Sequence, residues 1–273
     1  MVNSRNGSIF LELMKNLVGR TMSKNLNRIK TKEEIEAMRE GGKMLATVLE
    51  HLKLNTKPGM TTKDLANMAS SKLKELRGEP AFLGYRGFPD VICIAVNEEV
   101  QHTIPGSRVI EDGDIVNCDF GVKLKGLITD AAITYPVGEI SESAKNLLKG
   151  TEEALDAAIK TVKHGVRVRD VSKNIEKVLK AHGLGIVREL CGHGVGHALH
   201  EDPDIPNYGA DGDGFRLKAG MTIAIEPIAT AGSARVKFMP DGWNIITEDG
   251  SWACQFEHSL LVTYDGCEVL TKV

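Results

Sequence analysis

The sequence predicts an α+β fold made of two related halves, and three observations carry that prediction. Two pairs of capped, amphipathic helical segments are each followed by segments rich in β-branched and apolar residues. Residues 109–135 read as a β-hairpin. The order of elements before Pro136 then returns after it, with matching residues at a nearly constant spacing.

Residues 1–27 are basic and rich in Asn and Ser, and read as an N-terminal extension ahead of one domain over residues 28–273. Met22 opens a second plausible start, so a short amphipathic helix and an alternative start both remain open for the first residues. The basic positions Lys15, Arg20, Lys24, Arg28 and Lys30 are read with this solvated extension. Order begins at Thr31-x-x-Glu34, a capping box, followed by Ile35, Met38, Leu45, Val48, Leu49 and Leu52 at helical spacing. Lys57-Pro58-Gly59 ends that helix. Thr61-x-x-Asp64 opens a second one, with Leu65, Met68, Leu73 and Leu76 inside. A Gly/Pro-rich passage over residues 83–89 leads to a strand from Val91 to Val96, then to a loop holding His102.

In the hairpin, Ile115–Val122 and Leu127–Tyr135 are the expected strands. Folding about Leu124-Lys125 sets Asp119 directly opposite Asp130, with Cβ atoms about 4.5–5.5 Å apart, where like charges are destabilising. A divalent cation would compensate them, because hard ions take carboxylate oxygens. On the hairpin alone, two aspartates pointing into water explain the pattern equally well.

After Pro136, Ser141 caps a helix carrying Leu147, Leu148, Leu155, Ile159 and Val162, and a helix with Val171, Ile175, Val178 and Leu179 follows. Lys57-Pro-Gly59 through Leu65 matches Lys163-His-Gly165 through Val171 at an offset of 106 residues. Ile110-Glu-Asp-Gly113 matches Leu217-Lys-Ala-Gly220 at 107, and Asp119 and Glu226 each lie six residues past the glycine. Two such matches imply a duplicated unit packed as pseudo-symmetric halves, with Asp119 and Glu226 approaching across the axis. A last strand, Ala253 to Thr263, brings Glu257 toward the same centre. Clustered buried carboxylates need pairing or metal, and the balance moves to metal.

A net charge of −3 and the lack of a basic stripe exclude a general nucleic-acid binder. No stretch is apolar enough to span a membrane. Five cysteines without a C-x-x-C pair fit reduced thiols and a cytoplasmic location. In Cys191-Gly-His193-Gly-Val-Gly-His197-Ala-Leu-His200-Glu201, the glycines oppose a helix, so a glycine-bent strand or loop is expected. It is no H-E-x-x-H site, since position 204 is Asp, and no phosphate-cradling motif is present. His51, His164, His182 and His258 read as structural or surface residues.

The blocks VNCDFGV, ITDAAITYPVG, CGHGVGHALHEDP, GMTIAIEP and QFEHSLLVT resemble, in order and spacing, those of the type I methionine aminopeptidase family. The resemblance covers residues 28–271. It implies the pita-bread fold, a pseudo-twofold sandwich of a curved antiparallel sheet with two helix pairs on its outer face. It implies an enzyme, a dinuclear exopeptidase that removes initiator methionine from nascent peptides and favours small second residues. Two divalent ions (Co, Mn, Fe or Zn) would be held by Asp119, Asp130, His193, Glu226 and Glu257, with Glu226 also the general base. His102 and His200 match histidines that hydrogen-bond the scissile amide and the intermediate. Tyr85, Phe88, Cys93 and Trp243, with His102 and His200, match the methionine pocket, although core packing explains Phe88 equally well. Phe82 stands where many members carry a small cysteine, which narrows the pocket or its rim. The resemblance also fits a monomer with a transient ribosome contact and no specific nucleic acid. An Xaa-Pro dipeptidase of the same fold is the competing reading, although those usually carry a sizeable N-terminal domain. A binding protein that has lost its ligands is disfavoured because all five ligand types are kept. Residues 201–220, with Asp202, Asp204, Asp211 and Asp213, read as solvated surface, since Pro203 and the spacing defeat a calcium loop.

Overall fold

Each half of the molecule is a helix pair laid against an antiparallel three-strand core. The computed structural model describes residues 28–209 and 214–272. The extension expected over residues 1–27, together with Asp211 and Asp213, lies outside them. Helix α1, Lys32–Asn55, is capped by Thr31 through the expected capping box with Glu34. Helix α2, Thr62–Leu76, is capped by Thr61 and Asp64 in the same way. Short strand β1, Glu79–Pro80, precedes a single 3₁₀ turn at Tyr85–Gly87. Strands β2 (Ile92–Val96), β3 (Glu99–Gln101), β4 (Ile115–Leu124) and β5 (Leu127–Pro136) complete the first half.

In the second half, α3 (Glu142–Thr161) is capped by Ser141 and α4 covers Val168–Ala181. Strands β6 (Gly185–Ile186), β7 (Cys191–Gly194), β8 (Glu201–Pro206), β9 (Thr222–Ile225), β10 (Ile228–Thr230) and β11 (Val236–Phe238) follow. The chain ends in β12 (Ile245–Thr247), β13 (Ala253–Gln255), β14 (His258–Val262) and β15 (Cys267–Val269).

Strand β4 lies between β2 and β5, and β9 lies between β7 and β14, all antiparallel. Side chains alternate across these strands. Val116, Cys118, Phe120 and Val122 pack on α1 and α2 in one core, and Ile223, Ile225, Leu260 and Val262 pack on α3 and α4 in another. The opposite faces carry Asp119, Asp130, Glu226 and Glu257.

The repeat is written into the backbone. Thr61 bridges Val109 as Arg167 bridges Arg216. The Gly59 N–H donates to the Ile110 carbonyl at 2.8 Å, and the Gly165 N–H to that of Leu217 at 2.8 Å. The halves join where Glu257 N–H donates to the Ala132 carbonyl at 2.8 Å and the Ser259 hydroxyl bonds both the N–H and the carbonyl of Asp130.

Three expectations need correction. The hairpin turns about Lys125-Gly126, not Leu124-Lys125, so Asp119 opposes Ala132 and Asp130 opposes Gly121. Both turn residues have positive φ (50° and 84°), the two-residue turn that glycine at its second position favours. The two aspartates remain on one face, because the shift is two residues. The strand expected over residues 253–263 is broken at Phe256-Glu257 into β13 and β14, in different sheets. Residues 201–206 are strand rather than solvated surface, with Glu201 buried against Lys30, which belongs to the fold and not to a solvated tail.

Gly42 sits inside α1 where a Cβ would lie 2.2 Å from the Leu270 carbonyl oxygen. Alanine gains about 1 kcal/mol of helix propensity, but overpacking against backbone costs about 1–3 kcal/mol or more. Gly42→Ala therefore lowers Tm, by about 2–6 °C, in a thermal melt. A higher Tm would show that the C-terminal segment yields freely.

Candidate metal centre

Five potential ligands converge because five strands turn their inward faces toward one place. Asp119 leaves the middle of β4, Asp130 lies near the start of β5, and His193 lies in β7. Glu226 follows β9 directly, and Glu257 sits in the break before β14. All five are nearly inaccessible to solvent. Ligand atoms of Asp130, His193 and Glu257 lie within 4.8 Å of one another. His193 Nε2 is 3.6 Å from Glu226 Oε1 and 3.9 Å from Asp130 Oδ2. Asp119 is joined to Glu226 through Gln101. The Gln101 amide donates to Asp119 Oδ2 at 3.1 Å and to Glu226 Oε2 at 3.2 Å. Gln255 donates to Glu226 Oε2 at 3.3 Å and to Glu257 Oε2 at 3.5 Å.

The donor set fits a divalent cation. Among the described residues, Asp119 Oδ1, Asp130 Oδ1 and Glu257 Oε1 are buried with no hydrogen-bond partner, a costly state for a carboxylate. His193 Nδ1 lies 2.9 Å from the Gly194 carbonyl, which can only accept. Nδ1 therefore carries the proton and Nε2 presents its lone pair to the carboxylates, the tautomer a metal ligand requires. Burial pushes Asp119 up to about 6, against the donated bonds of Gln101 and Gln255. Burial, then repulsion from neighbouring carboxylates, raises Asp130, Glu226 and Glu257 well above the usual range.

The same cleft, about 220 Å³, is lined by Tyr85, Phe88, Cys93, His102, His200 and Trp243, so the structure brings every site residue expected from the sequence to one place. Its size is below the roughly 300–1,000 Å³ of drug-sized pockets, and suits one side chain. Phe88 and Trp243 meet edge to face at 5.0 Å. The Tyr85 hydroxyl lies 2.8 Å from His200 Nδ1, and the His200 and His193 rings are 4.3 Å apart. Burial lowers His102 to about 4, so its imidazole is neutral near pH 7. Phe82 closes one wall with Leu199, its ring so near Gly121 that a Cβ there would lie 2.6 Å away. Of the histidine stretch, His197 alone turns away, 2.8 Å from Glu34.

Gln101 and Gln255 escaped the sequence reading. Their signal is a buried glutamine in an apolar strand segment, one residue before His102 and two before Glu257.

Comparison with known proteins agrees with this geometry. Residues 36–264 match the model of metallopeptidase family M24. Methionine aminopeptidase 1 of Bacillus subtilis is 46% identical over 244 residues, which cover 89% of this chain and 98% of that protein. The methionine aminopeptidase structure from Thermotoga maritima superposes with a TM-score of 0.89 at 45% identity, covering 91% of this chain and all of the other. The prolidase from Pyrococcus furiosus gives 0.74 at 26% identity, with 92% of this chain covering 67% of that one. Among the described residues, no helix is long and apolar enough to cross a membrane. The chain belongs to metallopeptidase family M24, in its methionine aminopeptidase branch.

Proposed function

We propose that this protein hydrolyses the first peptide bond of peptides and nascent chains that begin with methionine, favouring small second residues, and uses two divalent cations held by Asp119, Asp130, His193, Glu226 and Glu257. The observation that carries the reading is the contact between two unlike surfaces in one cleft. Buried carboxylate oxygens without hydrogen-bond partners adjoin an aromatic slot sized for one unbranched side chain. Cobalt, manganese, iron and zinc all suit four carboxylates and one imidazole. Cations in such a site acidify a water and stabilise negative charge on the carbonyl oxygen.

The chain's own groups supply the rest. Tyr85, Phe88, Cys93 and Trp243 take the thioether, whose sulfur favours aromatic edges. The Cys93 thiol is held neutral by burial and by Asp119 beside it, so it packs rather than reacts. Glu226, its Oε2 tied by two amides, keeps Oε1 to accept the proton of the attacking water and pass it to the leaving amine. The Tyr85 hydroxyl pairs with His200 Nδ1 and orients the ring, so that Nε2 is the nitrogen turned to the scissile amide or the intermediate. Neutral His102 donates from the pocket rim. Phe82 narrows the slot. The domain over residues 28–273 acts as a cytoplasmic monomer, with a transient ribosome contact through its N-terminal extension.

Met-Ala-Ser with Mn or Co should release methionine, whereas Ala-Pro-Ala should not be cleaved. The reverse preference would make the protein a prolidase. Asp130→Ala should cut kcat/KM by more than about a hundredfold, beyond the loss typical of residues that only orient ligands. Unchanged turnover would remove the carboxylates from the chemistry.

Carboxyl pKa values raised in the folded state mean that the metal-free fold holds protons the unfolded chain has lost. Its stability therefore falls as pH climbs from about 4 through the folded value near 6 for Asp119 and beyond. Cations replace those protons, so the Tm gap between loaded and chelator-treated protein should widen from about pH 5 to about pH 7. A gap that is constant or shrinks would contradict ligation by these groups.

A further inference from the structure

The turn that delivers His200 is not held by its own strand alone. Glu201 is buried at its far end, and Oε1 accepts the backbone N–H of His197 at 2.6 Å and of Ala198 at 3.1 Å. Oε2 accepts from Lys30 Nζ at 3.0 Å, with the two side chains 0% and 2% exposed. Lys30 is itself anchored, its N–H donating to the Gly220 carbonyl at 2.9 Å and its Nζ to that of Arg28 at 3.2 Å. Gly196 passes the lysine stem with no room for a side chain, since a Cβ would lie 2.5 Å from Lys30 Cε. On the same side, His197 Nε2 meets Glu34 Oε1 at 2.8 Å, and Glu34 also caps α1 by accepting the Thr31 N–H at 2.8 Å. Residues 30–34 thus form a cradle under residues 196–201.

A buried ion pair is poor value as a stabiliser, because desolvation offsets much of the attraction. Its effect here is on geometry. Lys30 Nζ holds Oε2 in place, which leaves Oε1 aimed at the two adjacent N–H groups of the turn. Without it, a buried carboxylate is left uncompensated, so the side chain turns away and both amides lose their acceptor.

We infer that Lys30 is a positioning residue for the peptidase reaction: it holds Glu201 in the orientation that fixes the His197–Ala198 turn, and so sets His200 against the cleft. The segment just ahead of α1 is therefore part of the active-site support. The inference rests on the role given above to His200.

The test uses the full chain loaded with Mn. Lys30→Met should lower kcat for Met-Ala-Ser about ten- to a hundredfold, the scale of a misplacement near 1 Å. KM should stay within about threefold, and Mn affinity by calorimetry should match that of the unaltered chain. Amide exchange at residues 197–198 should rise. Lys30→Met/Glu201→Gln, neutral but still an acceptor for both amides, should regain most of the turnover and the protection. Lys30→Met/Glu201→Leu, neutral without the acceptor, should regain neither, and this pair decides the matter if Lys30→Met does not fold. Normal kcat in Lys30→Met, or equal turnover in the two double variants, would overturn the inference. If the unaltered chain releases no methionine, the functional reading fails, while the exchange comparison still reports on the turn.

Discussion

Four carboxylates buried where two half-sheets meet set the terms for this molecule. Each would be repelled by its neighbours and starved of water there. What makes the arrangement tenable is a pair of neutral donors, the amides of Gln101 and Gln255, while the Ser259 hydroxyl pins the backbone of Asp130. Oxygens remain over, and a divalent ion is the group that completes them. The rest of the architecture holds those oxygens still. Two helix pairs press the outer faces of β4, β5, β9 and β14 into separate cores, which leaves the inner faces free for polar chemistry.

The duplication explains why so many acidic groups meet. A carboxylate at one position of an ancestral unit becomes a facing pair, Asp119 and Glu226, when two copies close about an axis. Divergence then shows in the hairpins. In the first half Asp130 lies diagonal to Asp119, while in the second Glu257 follows β13 and immediately precedes β14, next to Glu226. In the second copy, the strand beside the central one carries His193 and leads into a glycine-rich turn, and that turn is supported by residues 30–34.

Much of this was legible in the sequence for simple reasons. Helix starts announce themselves through short side-chain contacts, so Thr31, Thr61 and Ser141 could be read directly. The repeat was legible because Gly59 and Gly165 occupy backbone with φ of 90° and 84°, which glycine tolerates best, and so survived divergence. The site residues could be gathered from family blocks. The hairpin register was missed because it depends on which two residues take positive φ, and Lys125 gives no sign of doing so. The break at Phe256-Glu257 was hidden because no glycine or proline marks it. Lys30 and Glu201 looked like surface residues because their partnership spans the chain and leaves no local trace.

The most direct measurement is anomalous X-ray diffraction from crystals of the protein loaded with manganese. Manganese peaks should appear in the cleft, within ligand reach of Asp119, Asp130, His193, Glu226 and Glu257. An empty cleft, or manganese bound elsewhere on the molecule, would contradict the account.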